Sequence, residues 1–225
     1  MQRIVLCFSS VCLLSIALLT ASFTGYQRTI AQTLERGGCM NIAASPNYLR
    51  SRSPKDAIAA INHARQFENM RPLRLPGNFY RLGAQREQFV LINLERTDRG
   101  LQPLQMNAVL NTMARNYSRQ MSKYHFFSHT SPISGTFTQR INSNPAIAHN
   151  YSLAEENLAG NPVAGVGPMY EYMYNDAQEA CGHRRNILAP GVTLVGIGVV
   201  HDRTYGSLST QEFIALQSGV STLGA

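Results

Sequence analysis

Apolar positions along this 225-residue chain follow several different rhythms, and each rhythm predicts an element. First comes an unbroken apolar run from Ile4 to about Ala21. Beyond it, Ser53-Pro54-Lys55-Asp56 has the signature of a helix start, with proline in the first turn and an acid near the positive end. Ile58, Ile61, Ala64 and Arg65 then keep helical spacing, and the helix must stop before Pro72. A second helix is predicted from about Gln85 to Arg99, with Phe89, Ile92 and the stem of Arg96 on one side and Gly100 as its stop. Asn107 is placed to cap a third, in which Val109, Leu110, Met113, Ala114, Tyr117 and Met121 recur at steps of three and four. Phe126–Pro132 ends it, and a Gly/Pro-rich loop from Gly160 to Pro168 leads into a helical stretch over Met169–Ala180. The tail reads as sheet: Thr193–Val200 is an apolar run with glycines, and Thr210–Leu216 follows a turn at Gly206.

The first two helical segments resemble each other. Ile61-Asn62, Arg65 and Pro72-Leu73 recur as Ile92-Asn93, Arg96 and Pro103-Leu104, always 31 residues later. Such a register points either to a duplicated helix and turn or to two sites with the same packing need. There is no third copy, so the chain is not a solenoid.

Arg3, the apolar centre and the small residues beyond it make residues 1–31 a secretory signal peptide, with cleavage expected after residue 22 or 31. An uncleaved membrane anchor is the alternative, because the run is long for a signal core. Cys7 and Cys12 fall in that segment, leaving Cys39 and Cys181. In an oxidising compartment these two form either one bridge closing a long loop or two separate thiols. The expected location is secreted and extracellular.

Charge divides unevenly. Between Gln32 and Arg86 nine basic residues face three acidic ones, while from Glu87 onward nine face ten. The segment 32–86 is thus read as a basic, helical N-terminal extension of a domain spanning 87–225. Its charge suits an anionic surface such as wall polymer or lipid headgroups. The interleaved aromatics of a single-strand binder and the motifs of a duplex reader are missing, so nucleic acid is not an expected partner. With 44% hydrophobic residues the chain can fold around a core.

Three polar residues stand out from apolar or turn-like surroundings: His129, Glu156 and His183. Two imidazoles and a carboxylate can hold zinc with a position left for water, provided the fold brings them together. His125 and His129, four apart, offer a second possible chelate if a helix continues through them. His63, His149 and His201 read as surface or structural residues.

Four motifs in order give these residues a context. They are Asn93-x-x-Arg96 with Pro103-Leu104; Phe127-Ser128-His129-Thr130-Ser131-Pro132 with Phe137 and Arg140; Glu156-Asn157-Leu158-Ala159; and Gly182-His183-Arg184-x-Asn186-Ile187-Leu188 with Gly196-x-Gly198. Together they resemble the CAP superfamily (cysteine-rich secretory proteins, antigen 5 and pathogenesis-related proteins), in particular its secreted bacterial members. The resemblance implies an α+β fold, a three-layer α-β-α sandwich, whose cleft carries two histidines and two acids. His129, Glu156 and His183 match three of the four; the second acid falls at Asp176, with Glu179 as the fallback. The chain departs from the pattern at Glu155, which stands where the family has glycine, and near Met173, where the family has an aromatic residue.

Two function classes follow. One is a secreted, non-enzymatic binding module whose cleft takes a divalent metal, zinc foremost, or a small and possibly lipidic ligand. The other is a metal-assisted hydrolase with Glu156 as general base on metal-bound water. The chain has neither an HExxH helix nor a Gly-x-Ser-x-Gly elbow, which favours the first.

Overall fold

The computed structural model describes residues 52–221 and residue 223, all within one compact unit, Cys39–Ala225. The expected signal segment 1–31 and Cys39 lie outside the described residues. Cys181 is disulfide-bonded. Among the described residues no helix is long and apolar enough to cross a membrane.

Helix α1 spans Pro54–Phe67, and the Ser53 hydroxyl accepts the Asp56 amide at 3.1 Å. Helix α2 spans Ala84–Thr97. The 31-residue sequence repeat proves to be a repeated clamp. Asn62 Oδ1 accepts the Leu73 amide at 2.8 Å, and Asn93 Oδ1 accepts the Leu104 amide at 2.7 Å. Arg65 Nε donates to the Arg71 carbonyl at 2.9 Å, and Arg96 Nε to the Gln102 carbonyl at 2.8 Å. Asn69 and Gly100, also 31 apart, both take the left-handed conformation past the helix end (φ 55° and 76°). In each copy an asparagine and an arginine one turn apart fasten the returning chain to its own helix.

The rest of each guanidinium goes elsewhere. Arg65 pairs with Glu95 at 2.6 Å and with Asp98. Arg96 is fully buried and donates to the carbonyls of Ile187, Ala189 and Val192. Desolvation among neutral acceptors pulls its pKa down to about 10. Arg65, one of the nine basic residues of the 32–86 stretch, is thus spent inside the fold, and α1 buries Ala57, Ile58, Ala60, Ile61 and Ala64.

Strand β1 is Gln105–Met106. Helix α3 (Ala108–Tyr124) begins at Asn107, whose side chain accepts the Leu110 amide, and α4 covers Phe137–Ser143. Strand β2 spans Tyr151–Gly160, α5 Val166–Tyr174 and α6 Gly182–Leu188. Strands β3 (Leu194–Asp202) and β4 (Gly206–Leu216) form the closing hairpin. The sheet order is β1-β3-β4-β2, with only the β1/β3 pair parallel.

Alternation along β4 separates the layers. Thr210 faces α3, where Ser118 Oγ lies 2.8 Å from its hydroxyl. Ser209 and Gln211 face the other way and both bond Gln88 of α2. The helix α3 lies tight on the sheet because β3 has no side chains there. A Cβ at Gly196 would come within 2.3 Å of the Leu110 carbonyl carbon, and one at Gly198 within 2.1 Å of the Arg115 nitrogen. The fold is the expected α+β arrangement, with α3 on one face of the sheet and α2 and α5 on the other.

Two elements differ from the sequence reading. The helix predicted over Met169–Ala180 stops at Tyr174, a short 3-10 turn covers Ala177–Glu179, and Ala180 and Cys181 take positive φ. Strand β2 has no counterpart among the elements that the sequence pattern predicts. Its Ala154-Glu155-Glu156-Asn157 has polar residues on both faces, because both faces serve the site described next, and that erases the period-two signal.

Candidate functional site

The centre of the site is two consecutive residues of β2. Strand alternation sends the Glu156 and Asn157 side chains to opposite faces of the sheet. Glu156 therefore reaches the layer of α3 and α4, and Asn157 reaches α6. Each meets one of the two histidines.

On the first side, α3 ends when His125 adopts the left-handed conformation (φ 54°) and the Phe126 amide turns back to the Met121 carbonyl. The helix does not continue through His129, so the alternative His125/His129 chelate does not form. Instead the loop is fastened from below. Tyr117 Oη donates to the Ser128 carbonyl at 2.5 Å, and Arg140 Nη1 donates to the His129 and Gly135 carbonyls at 3.0 and 2.9 Å. Burial pushes the Tyr117 phenol up to about 12, so it remains a donor. The Arg140 guanidinium lies 3.4 Å from the Tyr117 ring centroid and gives Nη2 to Glu156 Oε2 at 2.5 Å. The other carboxylate oxygen, Oε1, holds His129 Nδ1 at 2.8 Å. The His129 side chain is 54% exposed while that of Glu156 is 1% exposed, so the ring projects from a buried anchor.

On the second side, His183 stands in the first turn of α6 and Asp176 in the irregular segment before it. Asp176 Oδ1 holds His183 Nδ1 at 2.6 Å, and Oδ2 accepts the Arg184 amide at 3.0 Å. Asn157 Nδ2 donates to the His183 carbonyl at 3.1 Å, and the Asn157 and Asn186 amides meet at 2.9 Å. The Tyr172 ring packs beside the imidazole, centroids 5.0 Å apart. Asp176, not the exposed Glu179, is thus the acid beside the second histidine.

The four predicted residues fall into two like pairs, each an imidazole backed by a buried carboxylate, on either side of one strand. With Nδ1–H donated to the carboxylate, the neutral ring keeps its Nε2 lone pair for a ligand. The four do not form a single shell. Among the described residues no three His, Cys, Asp or Glu side chains stand together closely enough to hold a metal ion.

Two residues of the site were not singled out from the sequence. Glu212 is the partner of Glu156 across the β2/β4 register, and it is fully buried. Neither of its oxygens has a hydrogen-bond partner. Burial, then the Glu156 charge, drives its pKa well above the ordinary carboxylate value, against a smaller opposing pull from Arg140. The available sequence signal was its inward position in the alternation Thr210, Glu212, Ile214. Glu68, at the end of α1, pairs with Arg99 at 2.5 Å and with Arg184 at 2.6 Å. Burial alone would raise it, but Arg184 and Arg99 together hold it below its usual value. Arg184 therefore joins the end of α1 to the residue next to His183. Glu155, at the departure from the family pattern, is half-buried; desolvation raises its pKa and Arg185 lowers it.

Comparison with known proteins places this geometry in a wider group. The model of the CAP group, the cysteine-rich secretory protein family, matches residues 89–215. The uncharacterized protein YkwD of Bacillus subtilis (strain 168) is 35% identical over 124 residues, 55% of this chain and 44% of that protein. The uncharacterized membrane protein YlbC of the same strain is 30% identical over 124 residues, 55% of this chain and 32% of that one. A solved structure of an extracellular protein containing an SCP domain, from Bacillus anthracis str. Ames, superposes with a TM-score of 0.51 at 29% identity, covering 59% of this chain and 40% of that one. The matched stretch is thus less than half the length of these relatives.

Proposed function

The chain belongs to the cysteine-rich secretory protein (CAP) family, and from that premise we propose that it is exported and acts outside the cell as a binding module without chemistry of its own. Its cleft takes a small ligand at the imidazoles of His129 and His183. The observation that carries this reading is the pair of Nδ1–carboxylate bonds, 2.8 Å to Glu156 and 2.6 Å to Asp176, which fix both rings and, in the neutral Nδ1–H tautomer, leave both Nε2 atoms as acceptors. A cavity of about 560 Å³ between α3 and α4, lined by Val109, Met113, Tyr117 and Pro145, shares Arg140 with the site. It is of ligand size and apolar enough to take the hydrophobic part of a ligand.

A divalent ion remains part of the proposal in a reduced form. Among the described residues no three or four ligands converge as a resident zinc site requires. An imidazole of this kind would hold zinc only weakly, the ligand completing the shell. The hydrolase alternative gains no support from Glu156, whose two oxygens are committed to His129 and Arg140 in a side chain only 1% exposed. The basic stretch Gln32–Arg86 is proposed to add charge-driven attachment to anionic wall polymer or lipid.

Calorimetry with zinc tests the cleft at pH 7.5 and 5.5, on wild type, His129→Ala, His183→Ala and His125→Ala. Weak binding at pH 7.5 that fades at pH 5.5, as protons compete with the metal for the imidazole nitrogens, is expected for wild type and His125→Ala only. Equal binding by all four proteins would end the proposal that the two histidines form the ligand site.

A further inference from the structure

A second concavity lies away from the cleft, at the end of the β3/β4 hairpin, and no residue of the His129–Glu156–His183–Asp176 set lines it. It has a volume of about 410 Å³. Three elements contribute a cationic or protonatable residue to its lining: Arg86 from α2, Arg115 from α3 and His201 from β3. The rest of its lining is uncharged and includes the small residues Gly83, Ala164 and Gly206.

No carboxylate lines this cavity. The acids adjacent in sequence are turned away from it. Asp202, next to His201, binds Ser122 Oγ at 2.8 Å and the amides of Thr204 and Tyr205 at 2.8 and 2.9 Å. Glu87, next to Arg86, points its carboxylate at Gly165, where a Cβ would come within 1.7 Å of Oε2. Two arginines thus line one depression with no acid among the described residues that line it, which leaves it a net positive charge. The walls are also fixed. Gln85 Nε2 ties the start of α2 to the Ile197 carbonyl at 2.6 Å, and Ser207 Oγ ties the hairpin to the Asn161 carbonyl at 2.5 Å.

We propose that this cavity is an anion site that takes a phosphate ester, gripped by the Arg86 and Arg115 guanidiniums with His201 at the rim. Guanidinium forks match the oxygens of phosphate in a way that a point charge does not. The volume admits a phosphate with a small polyol or sugar attached. A soluble or polymer-borne ester and a lipid headgroup share this chemistry. The assignment does not depend on the cleft or on its ligand.

The test uses the purified full chain titrated with glycerol 3-phosphate, followed by amide chemical shifts, beside acetate as a plain anion and phosphatidylglycerol vesicles as the lipid source. Saturable binding of glycerol 3-phosphate over acetate is expected, with shifts centred on Gly83–Arg86 and Val199–Ser207. Arg86→Gln with Arg115→Gln should weaken it by about tenfold or more. The exposed Arg74, which lies outside the cavity, provides the control, and Arg74→Gln should bind like wild type. Arg86→Lys with Arg115→Lys keeps the charge and loses the fork, so it should fall between. Vesicle retention abolished by the double Gln variant, without affinity for the soluble ester, would assign the same site to a headgroup. Binding of acetate as strong as that of the phosphate ester, an equal loss in Arg74→Gln, or binding unchanged in the double Gln variant would each overturn the proposal. All variants change exposed side chains, and an unchanged thermal melt confirms that the fold is intact.

Discussion

Glu212→Gln should stabilise the protein increasingly as pH rises, and the size of that trend follows from burial. Arg140 and Glu156 already neutralise each other in this part of the interior, so a second carboxylate at position 212 would be an uncompensated buried charge. Desolvation therefore keeps the Glu212 proton on well above the reference value of 4.5. In the unfolded chain the same carboxyl ionises near 4.5, so above that pH the unfolded state binds fewer protons than the folded state. Its contribution is accordingly complete below the unfolded pKa and is lost as pH rises toward the folded one. For as long as the folded protein keeps this proton, the loss is about 1.4 kcal/mol per pH unit. Glutamine has nearly the same volume and no proton to lose, so its own packing cost is independent of pH and cancels in the trend. Urea unfolding of wild type and Glu212→Gln at half-unit steps from pH 4.5 to 8, followed by far-UV circular dichroism, measures the difference directly. The wild type should lose ground steadily to the variant, with both keeping the same denaturant slope. A difference that stays constant across the range would mean that Glu212 ionises normally, through solvent access or a partner, and the reasoning would be wrong.

Other substitutions test the packing argument. Gly198→Ala would place a Cβ 2.1 Å from the Arg115 backbone nitrogen, so α3 must lift from the sheet at a cost of about 1–3 kcal/mol or more; a thermal melt within error of wild type would contradict the close approach. Glu95→Ala leaves Arg65 and Arg99 buried without their shared carboxylate and should cost about 3–5 kcal/mol, measured by urea unfolding, with anything under 1 kcal/mol counting against the network. Asn93→Ala removes two bonds to Leu104 and Asn62→Ala one bond to Leu73, so both should destabilise by about 1–3 kcal/mol, the first by more. The reverse order in matched unfolding experiments would refute the view that the two turns are held by the same clamp.

Much of this fold could be read from the chain before any tertiary contact was known, because the relevant physics is local. Ser53, Asn107 and Gly100 end or begin helices by bonding or freeing backbone within a few residues, and the apolar rhythm of α3 is its buried stripe. The repeat of Ile61-Asn62/Arg65 in Ile92-Asn93/Arg96 was legible as a pattern, and its cause proved equally local: one helix turn fastening the strand that returns past it. The Gly-x-Gly of β3 was visible too, but the reason for it, the backbone of α3 pressed against the sheet, belongs to another part of the chain.

Tertiary structure decided everything that depends on which distant side chains share an interior. Four motifs marked His129, Glu156, Asp176 and His183 as one set, yet composition and spacing could not say that they would form two carboxylate-backed imidazoles in place of a single ligand shell. That outcome follows from the strand alternation of β2, which sends Glu156 and Asn157 to opposite faces. The same dual duty removed the periodicity by which β2 would have been recognised. Glu212 read as an ordinary polar residue near a strand until the β2/β4 register put it beside Glu156 with no partner. Arg65 counted as one more positive charge in a basic stretch until α1 folded onto α2 and gave it Glu95. A residue's charge and polarity are properties of the sequence, but whether that charge is exposed, paired or withheld depends on the neighbours that only folding supplies.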